Sequence, residues 1–286
     1  MKRIVLDKSA LQGVPKGFLS GLRGDFEFLL PNILLHEILT QGLDFGALTV
    51  EEENARRQSV RACLEKAVYE AGNSWFDNDN ALLWEVRNGL SAQSMQRIQL
   101  PVPIETLNLT GRILDRSRTF DGRIGRAAES VIVPQEKESR FRDISKGGPG
   151  AVYLSLESNL QMVTPFLAKT KEVILNHAKS QGIPVSPGFI PGPGWYTYGR
   201  ALTCYAFAFW KLATYGNKPA QPKQPANPIF DMAYLACVSI ADGILSGDKI
   251  LKKIAWACFP EKRDHIYEFA NEGNSTFVRR FVPQFA

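Results

Sequence analysis

The 286-residue chain is 44% hydrophobic and 22% charged, the balance of an ordinary folded protein, which excludes wholesale disorder and a fibrous repeat. Thirty-four Lys plus Arg against 29 Asp plus Glu leave a net charge of +5, an excess compatible with a polyanionic partner. Four cysteines, Cys63, Cys204, Cys237 and Cys258, form no C-x-x-C pair and three lie in apolar helical stretches, so reduced, buried thiols and a cytoplasmic setting are expected. Ile4-Val5-Leu6 before Asp7 is too short for a signal-peptide core. Ala201 to Trp210, broken by Thr203, is too short for a membrane span.

In chain order, residues 3–6 predict a short buried strand that ends at Asp7, followed by a turn-rich stretch through Gly24. Asp25 to Leu30 predicts a second strand, and Pro31 suits the first turn of a helix in which Leu34, Glu37 and Ile38 share a face. Glu51 to Gly72 reads as a strongly charged amphipathic helix and Ala81 to Gly89 as another, while Gln99 to Gly150 is rich in Arg, Gly and Pro. Residues 46–155 are therefore expected to form a mostly helical, loop-rich insertion, leaving 1–45 and 156–286 as a discontinuous main domain. Leu156 to Ser180 and Ala201 to Tyr215 predict helices, and a Pro- and Gln-rich link, Lys218 to Pro228, follows. Asn227-Pro228 opens a helix through Ile240, Gly243 to Ser246 is a buried strand closed by Gly247, and Lys249 to Cys258 is a helix striped by Ile250, Ile254 and Ala257. Strands alternating with helices at both ends predict a parallel α/β sheet whose ligands gather at the carboxyl ends of its strands.

The chemistry-bearing residues sit at these junctions. Asp7, Glu37, Asp231, Asp242 and Asp248 come from the two ends of the chain, and if the segments fold together four or five carboxylates meet. Like charges so close repel, so a divalent metal is the natural explanation. Four of the five also have a purely structural reading. Asp7 can shape an Asx turn with Ser9, Asp231 can serve the helix dipole as a first-turn acid, Asp248 can N-cap the helix from Lys249, and Asp242 can be a turn acid before Gly243. His36, His177 and His265 share no metal-ligand spacing. Pro191-Gly-Pro-Gly-Trp195-Tyr-Thr-Tyr198-Gly reads as a packed loop before a base-stacking one, and it lacks the Lys-Ser/Thr ending of a phosphate loop.

Ile-Val-Leu-Asp7-Lys-Ser9, Leu30-Pro31 through Glu37-Ile38, and Asp231-Met-Ala-Tyr-Leu-Ala through Leu245-Ser246-Gly247-Asp248 resemble, in that order, the motifs of PIN-like nuclease domains. The resemblance spans roughly residues 1–45 and 226–260 and implies a PIN-like α/β/α sandwich with a parallel sheet. It also implies a metal-dependent nuclease. Magnesium or manganese would be held by Asp7, Glu37, Asp231 and Asp248, with Asp242 on the metal or its water, and Ser9 and Ser246 would orient carboxylates. Single-stranded RNA is the substrate the family favours. The alternatives are a structure-selective DNA nuclease and an inert nucleic-acid-binding or interaction module. Arg116, Arg123 and Arg126 in the central segment suit phosphate contacts or a solvated face. A protein inhibitor and a second copy of the chain are the further partners considered.

Overall fold

The computed structural model describes residues 1–40, 49–76, 81–89, 97–98, 171–189 except 173, 177 and 181, 192–215, 227–273 and 275–284. Its centre is the strand β1 (Lys2–Leu6), whose Ile4, Val5 and Leu6 are almost wholly buried because layers cover both faces. Asp7 starts α1 (Lys8–Gly13), which is followed by α2 (Phe18–Leu22), so two short helices occupy the stretch expected to be turns. β2 (Phe26–Pro31) returns beside β1 in parallel, with Phe28 opposite Ile4. Pro31 closes this strand rather than opening the helix, and α3 (Asn32–Thr40) starts one residue later.

α4 (Val50–Glu65) begins at a capping box: the Thr49 hydroxyl accepts from the Glu52 N–H, and the Glu52 carboxylate accepts from the Thr49 N–H. It continues as a π-helical turn, Lys66–Glu70. Val60, Cys63, Leu64, Ala67 and Val68 from this run join the same core as β1 and β2. β3 (Trp75–Phe76) then adds to the sheet in parallel beside β2, and β4 (Arg97–Ile98) pairs antiparallel with β3. Residues 50–76, which fall within the segment expected to be an insertion, contribute β3 to the sheet and a narrow apolar face to the core. α5 (Ala81–Asn88) carries Glu85, which is fully buried and accepts from the N–H groups of Tyr196 and Thr197 and from the Thr197 hydroxyl, capping α6 (Tyr196–Tyr215) from outside.

α6 packs on α7 (Asn227–Val238), where Gly199 is required: a Cβ there would lie 2.5 Å from the Ala236 carbonyl oxygen. β5 (Gly243–Leu245) pairs with β1 in parallel, α8 (Lys249–Cys258) follows, and a 3₁₀ turn (Pro260–His265) leads into β6 (Ile266–Glu272). β6 is parallel to β5, and β7 (Ser275–Arg280) returns antiparallel as an edge strand. The sheet thus runs β4-β3-β2-β1-β5-β6-β7, mixed but parallel across its five central strands. It winds one way from β1 to β3 and the other way from β1 to β6, so the switch point lies at the carboxyl ends of β1 and β5. The α/β class is as expected. Ile250, assigned to the apolar stripe of α8, is exposed, whereas Ile254 and Ala257 are buried. Among the described residues no helix is long and apolar enough to cross a membrane.

Candidate active site at the switch point

Asp7 stands at the carboxyl end of β1 and N-caps α1, with its Oδ1 accepting from the Ala10 N–H at 2.8 Å. The Ser9 hydroxyl lies 2.9 Å from Oδ1 and 2.7 Å from Oδ2, and the Ser246 hydroxyl donates to Oδ2 at 2.7 Å. Both serines are themselves held. Ser9 Oγ accepts from the N–H groups of Gly247 (2.7 Å) and Asp248 (3.1 Å), and Ser246 Oγ accepts from Asp248 N–H at 2.9 Å. This network ties the end of β1 to the end of β5 and fixes the orientation of the Asp7 carboxylate. Burial pushes Asp7 from 3.8 up to about 6, even though Ser9, Ser246 and the Ala10 N–H pull it down; the Glu37 charge pushes it further up.

Asp248 N-caps α8, with Oδ1 accepting from the N–H groups of Ile250 (2.7 Å) and Leu251 (3.0 Å). The structural readings of Asp7 and Asp248 as cap acids therefore hold as geometry. Neither cap accounts for the charges around them. Asp231 lies beyond the first turn of α7, which begins at Asn227, so the first-turn reading does not apply. Burial raises its pKa well above the ordinary carboxylate range, and Asp248, Glu37 and Asp7 each raise it further, with Lys8 opposing. No described residue makes a hydrogen bond to the Asp231 carboxylate. Glu37, on α3, accepts from the Tyr234 hydroxyl through Oε2 at 2.5 Å and has the Lys8 ammonium 3.6 Å from Oε1. Burial holds the Tyr234 proton in place, pushing the phenol well up, and the Glu37 charge reinforces it.

Four acids from four elements, Asp7, Glu37, Asp231 and Asp248, are thus electrostatically coupled at the switch point. Asp242 is not among them. It lies just before β5, at the amino ends of the strands, where its Oδ2 accepts from Arg3 N–H at 2.7 Å and its own N–H donates to the Arg3 carbonyl at 2.8 Å. Expected on the metal or its water, it instead clasps β1 to β5 at the opposite strand ends from Asp7. Arg116, Arg123 and Arg126 lie outside the described residues. Trp195 packs edge-on against Phe189, with ring centroids 5.7 Å apart, while Tyr196 to Gly199, expected as part of a loop, open α6.

Sequence reasoning passed over Tyr234 and Lys8. The signal for Tyr234 was its spacing three residues after Asp231, on the same helix face, as a polar-tipped aromatic inside an apolar run. Lys8 immediately follows Asp7. The donor set is all hard oxygen, which suits magnesium or manganese before zinc. Among the described residues, no three His, Cys, Asp or Glu side chains stand close enough together to hold a metal ion as they are. Comparison with protein-family models, curated proteins and solved structures returned no match.

Proposed function

We propose that the chain is a metal-dependent phosphodiesterase of the PIN-like kind, a ribonuclease acting on single-stranded RNA. The observation that carries this reading is the placement of Asp7 and Asp248 at the ends of β1 and β5, with Glu37 and Asp231 electrostatically coupled to them at the sheet's switch point. A protein gains no stability by gathering buried like charges, and a divalent cation is the partner that makes the arrangement favourable. Asp7, Glu37, Asp231 and Asp248 would hold magnesium or manganese, which supplies Lewis acidity at a phosphoryl oxygen and lowers the pKa of water. Ser9 and Ser246 keep the Asp7 carboxylate aimed, the task of a partner to a metal ligand. The Asp248 cap uses Oδ1 alone and holds the side chain at the amino end of α8. Tyr234 keeps its proton and hydrogen-bonds Glu37, so it orients that carboxylate without competing for the cation.

The preference for RNA rests on the resemblance of the four motifs to PIN-like nucleases. Parallel digests of single-stranded RNA, single-stranded DNA and flap DNA, with magnesium, manganese or EDTA, test it. RNA cleavage in either metal is expected, abolished by EDTA and by Asp7→Asn and Asp248→Asn. Asparagine caps a helix as well as aspartate does, so these substitutions remove charge and keep the fold. Preferential cleavage of flap DNA would favour the DNA nuclease. One observation favours an inert module: the separation of the acids, no three of which hold an ion as they stand among the described residues. Absence of turnover on every substrate in both metals would decide for that reading.

A further inference from the structure

An acidic crevice without a metal needs another source of positive charge, or its carboxyls stay protonated. Lys8 is the first residue of α1, directly after the Asp7 cap. Its ammonium lies 3.6 Å from Glu37 Oε1, and its charge opposes the repulsion on Asp231. Its side chain is partly buried, and its charge also reaches Cys63 on α4, where it lowers the thiol's pKa against the effect of burial. A charge-assisted N–H to carboxylate bond closes to about 2.7–2.9 Å. At 3.6 Å the pair is in ionic contact without that bond, and a lysine head on a flexible stem can leave it. Tyr234 bonds the other Glu37 oxygen, Oε2, so Lys8 and Tyr234 meet different oxygens of one carboxylate.

We propose that Lys8 is the resident counter-ion of the acidic cluster, paired with Glu37 until a divalent cation enters and displaces its ammonium. This rests on the metal-dependent reading above. Lys8 and the metal then compete for one charge environment, and Lys8 sets the metal affinity as a positioning residue, with no contact to the reacting atoms. A purely structural ion pair between α1 and α3 makes a different prediction: its loss would weaken the protein equally with and without metal and leave metal affinity unchanged.

The test is calorimetric titration of Mn²⁺ alone into the full chain, wild type and Lys8→Met, Lys8→Gln and Lys8→Arg, paired with melting curves in EDTA and in saturating Mn²⁺. Lys8→Met and Lys8→Gln should bind Mn²⁺ about fivefold more tightly, close to 1 kcal/mol, the worth of a partly exposed ion pair that no longer has to be broken. Lys8→Arg should stay near wild type. The neutral variants should melt below wild type in EDTA and level with it in saturating Mn²⁺. Should Lys8→Met not fold, Lys8→Gln carries the comparison. Unchanged or weaker Mn²⁺ binding by the neutral variants, with wild type binding normally, overturns the proposal and leaves the nuclease reading intact. If wild type takes up no Mn²⁺, or Asp231→Asn takes up as much as wild type, the metal reading falls and the proposal with it.

Discussion

The two ends of β5 each carry an aspartate beside a glycine, Asp242-Gly243 before the strand and Gly247-Asp248 after it, and the two acids have opposite fates. At the amino end, Asp242 accepts from the Arg3 N–H through its carboxylate and donates its own N–H to the Arg3 carbonyl. Close by, Lys262 donates to the carbonyls of Val238 (2.6 Å), Ser239 (2.8 Å) and Ala241 (2.9 Å), collecting the last carbonyls and the turn that follow α7. At the carboxyl end, Asp248 and Asp7 cap helices and face two further acids. The difference follows from parallel topology. Strand amino ends receive helix C-termini, whose partial negative charge calls for a cation such as Lys262. Strand carboxyl ends lead into helix N-termini, whose N–H groups donate to carboxylates. One end is thereby closed by satisfied polar groups. The other keeps excess negative charge that the described residues do not fully offset.

The sharpest way to break this contrast is to neutralise one acid at each end. Asp231→Asn should lose metal-dependent RNA cleavage by more than about 100-fold, the upper end of what losing a mere partner of a metal ligand costs. It should also melt higher than wild type in EDTA, because a buried repulsive charge is gone, and gain less from added metal. Asp242→Asn should retain cleavage within a few-fold, since its amide oxygen still accepts from Arg3. Equal loss of activity in both variants, each confirmed folded, would erase the distinction between the two ends.

The second prediction tests the closed end. Lys262→Met removes the three ammonium hydrogen bonds that satisfy the carbonyls between α7 and β5. Hydrogen bonds to a charged group contribute about 1.5–3 kcal/mol each, and water will recover part of that, so a loss of about 3–4 kcal/mol is expected in urea unfolding. Cleavage per folded molecule should not change. A stability loss within 0.5 kcal/mol, about what an ordinary surface substitution costs, would mean that solvent serves those carbonyls equally well.

The legibility of these ends differed for a physical reason. Strands buried on both faces announce themselves as apolar runs, so Ile4-Val5-Leu6 and Gly243-Ile-Leu were visible, and the cap acids that follow each run were visible with them. Which end of a strand an acid occupies was also in the sequence, because Asp242 precedes its strand; it was passed over because its neighbours in the motif were so close. α4 was legible as a charged amphipathic helix, but its many charges mask the thin stripe at Val60, Cys63 and Leu64 that joins the core under the sheet. The β6–β7 hairpin went unread: the burial of Ile266 and Tyr267 fades into exposed Glu272, so alternation is weak. Lys262 carries no local signal, since its three carbonyls lie more than 20 residues upstream.

The smallest effect concerns the open end and reads the network directly. Asp7 has a folded-state pKa of about 6 against 3.8 for the free side chain. Below about pH 3.8 both states are protonated and Asp7 costs nothing. Between those values the unfolded chain releases the proton and the folded one keeps it, so stability falls as pH rises, and the cost is complete above about pH 6. Roughly two pKa units at 1.36 kcal/mol each set the full cost at about 3 kcal/mol in metal-free protein, with Asp231 acting in the same direction. Urea unfolding in EDTA from pH 4.5 to 7.5 should show this decline, and Asp7→Asn should flatten the part that Asp7 supplies. Ser246→Ala is the finer probe. Its hydroxyl donates to Asp7 Oδ2 and favours the ionised carboxylate, so its loss should move the midpoint of the decline to higher pH. The added destabilisation near pH 7.5 should be about 1 kcal/mol, the net worth of one such bond. A midpoint that moves down, or does not move, would show that Ser9 and the Ala10 N–H alone hold Asp7, and that the tie between the ends of β1 and β5 does not run through Ser246.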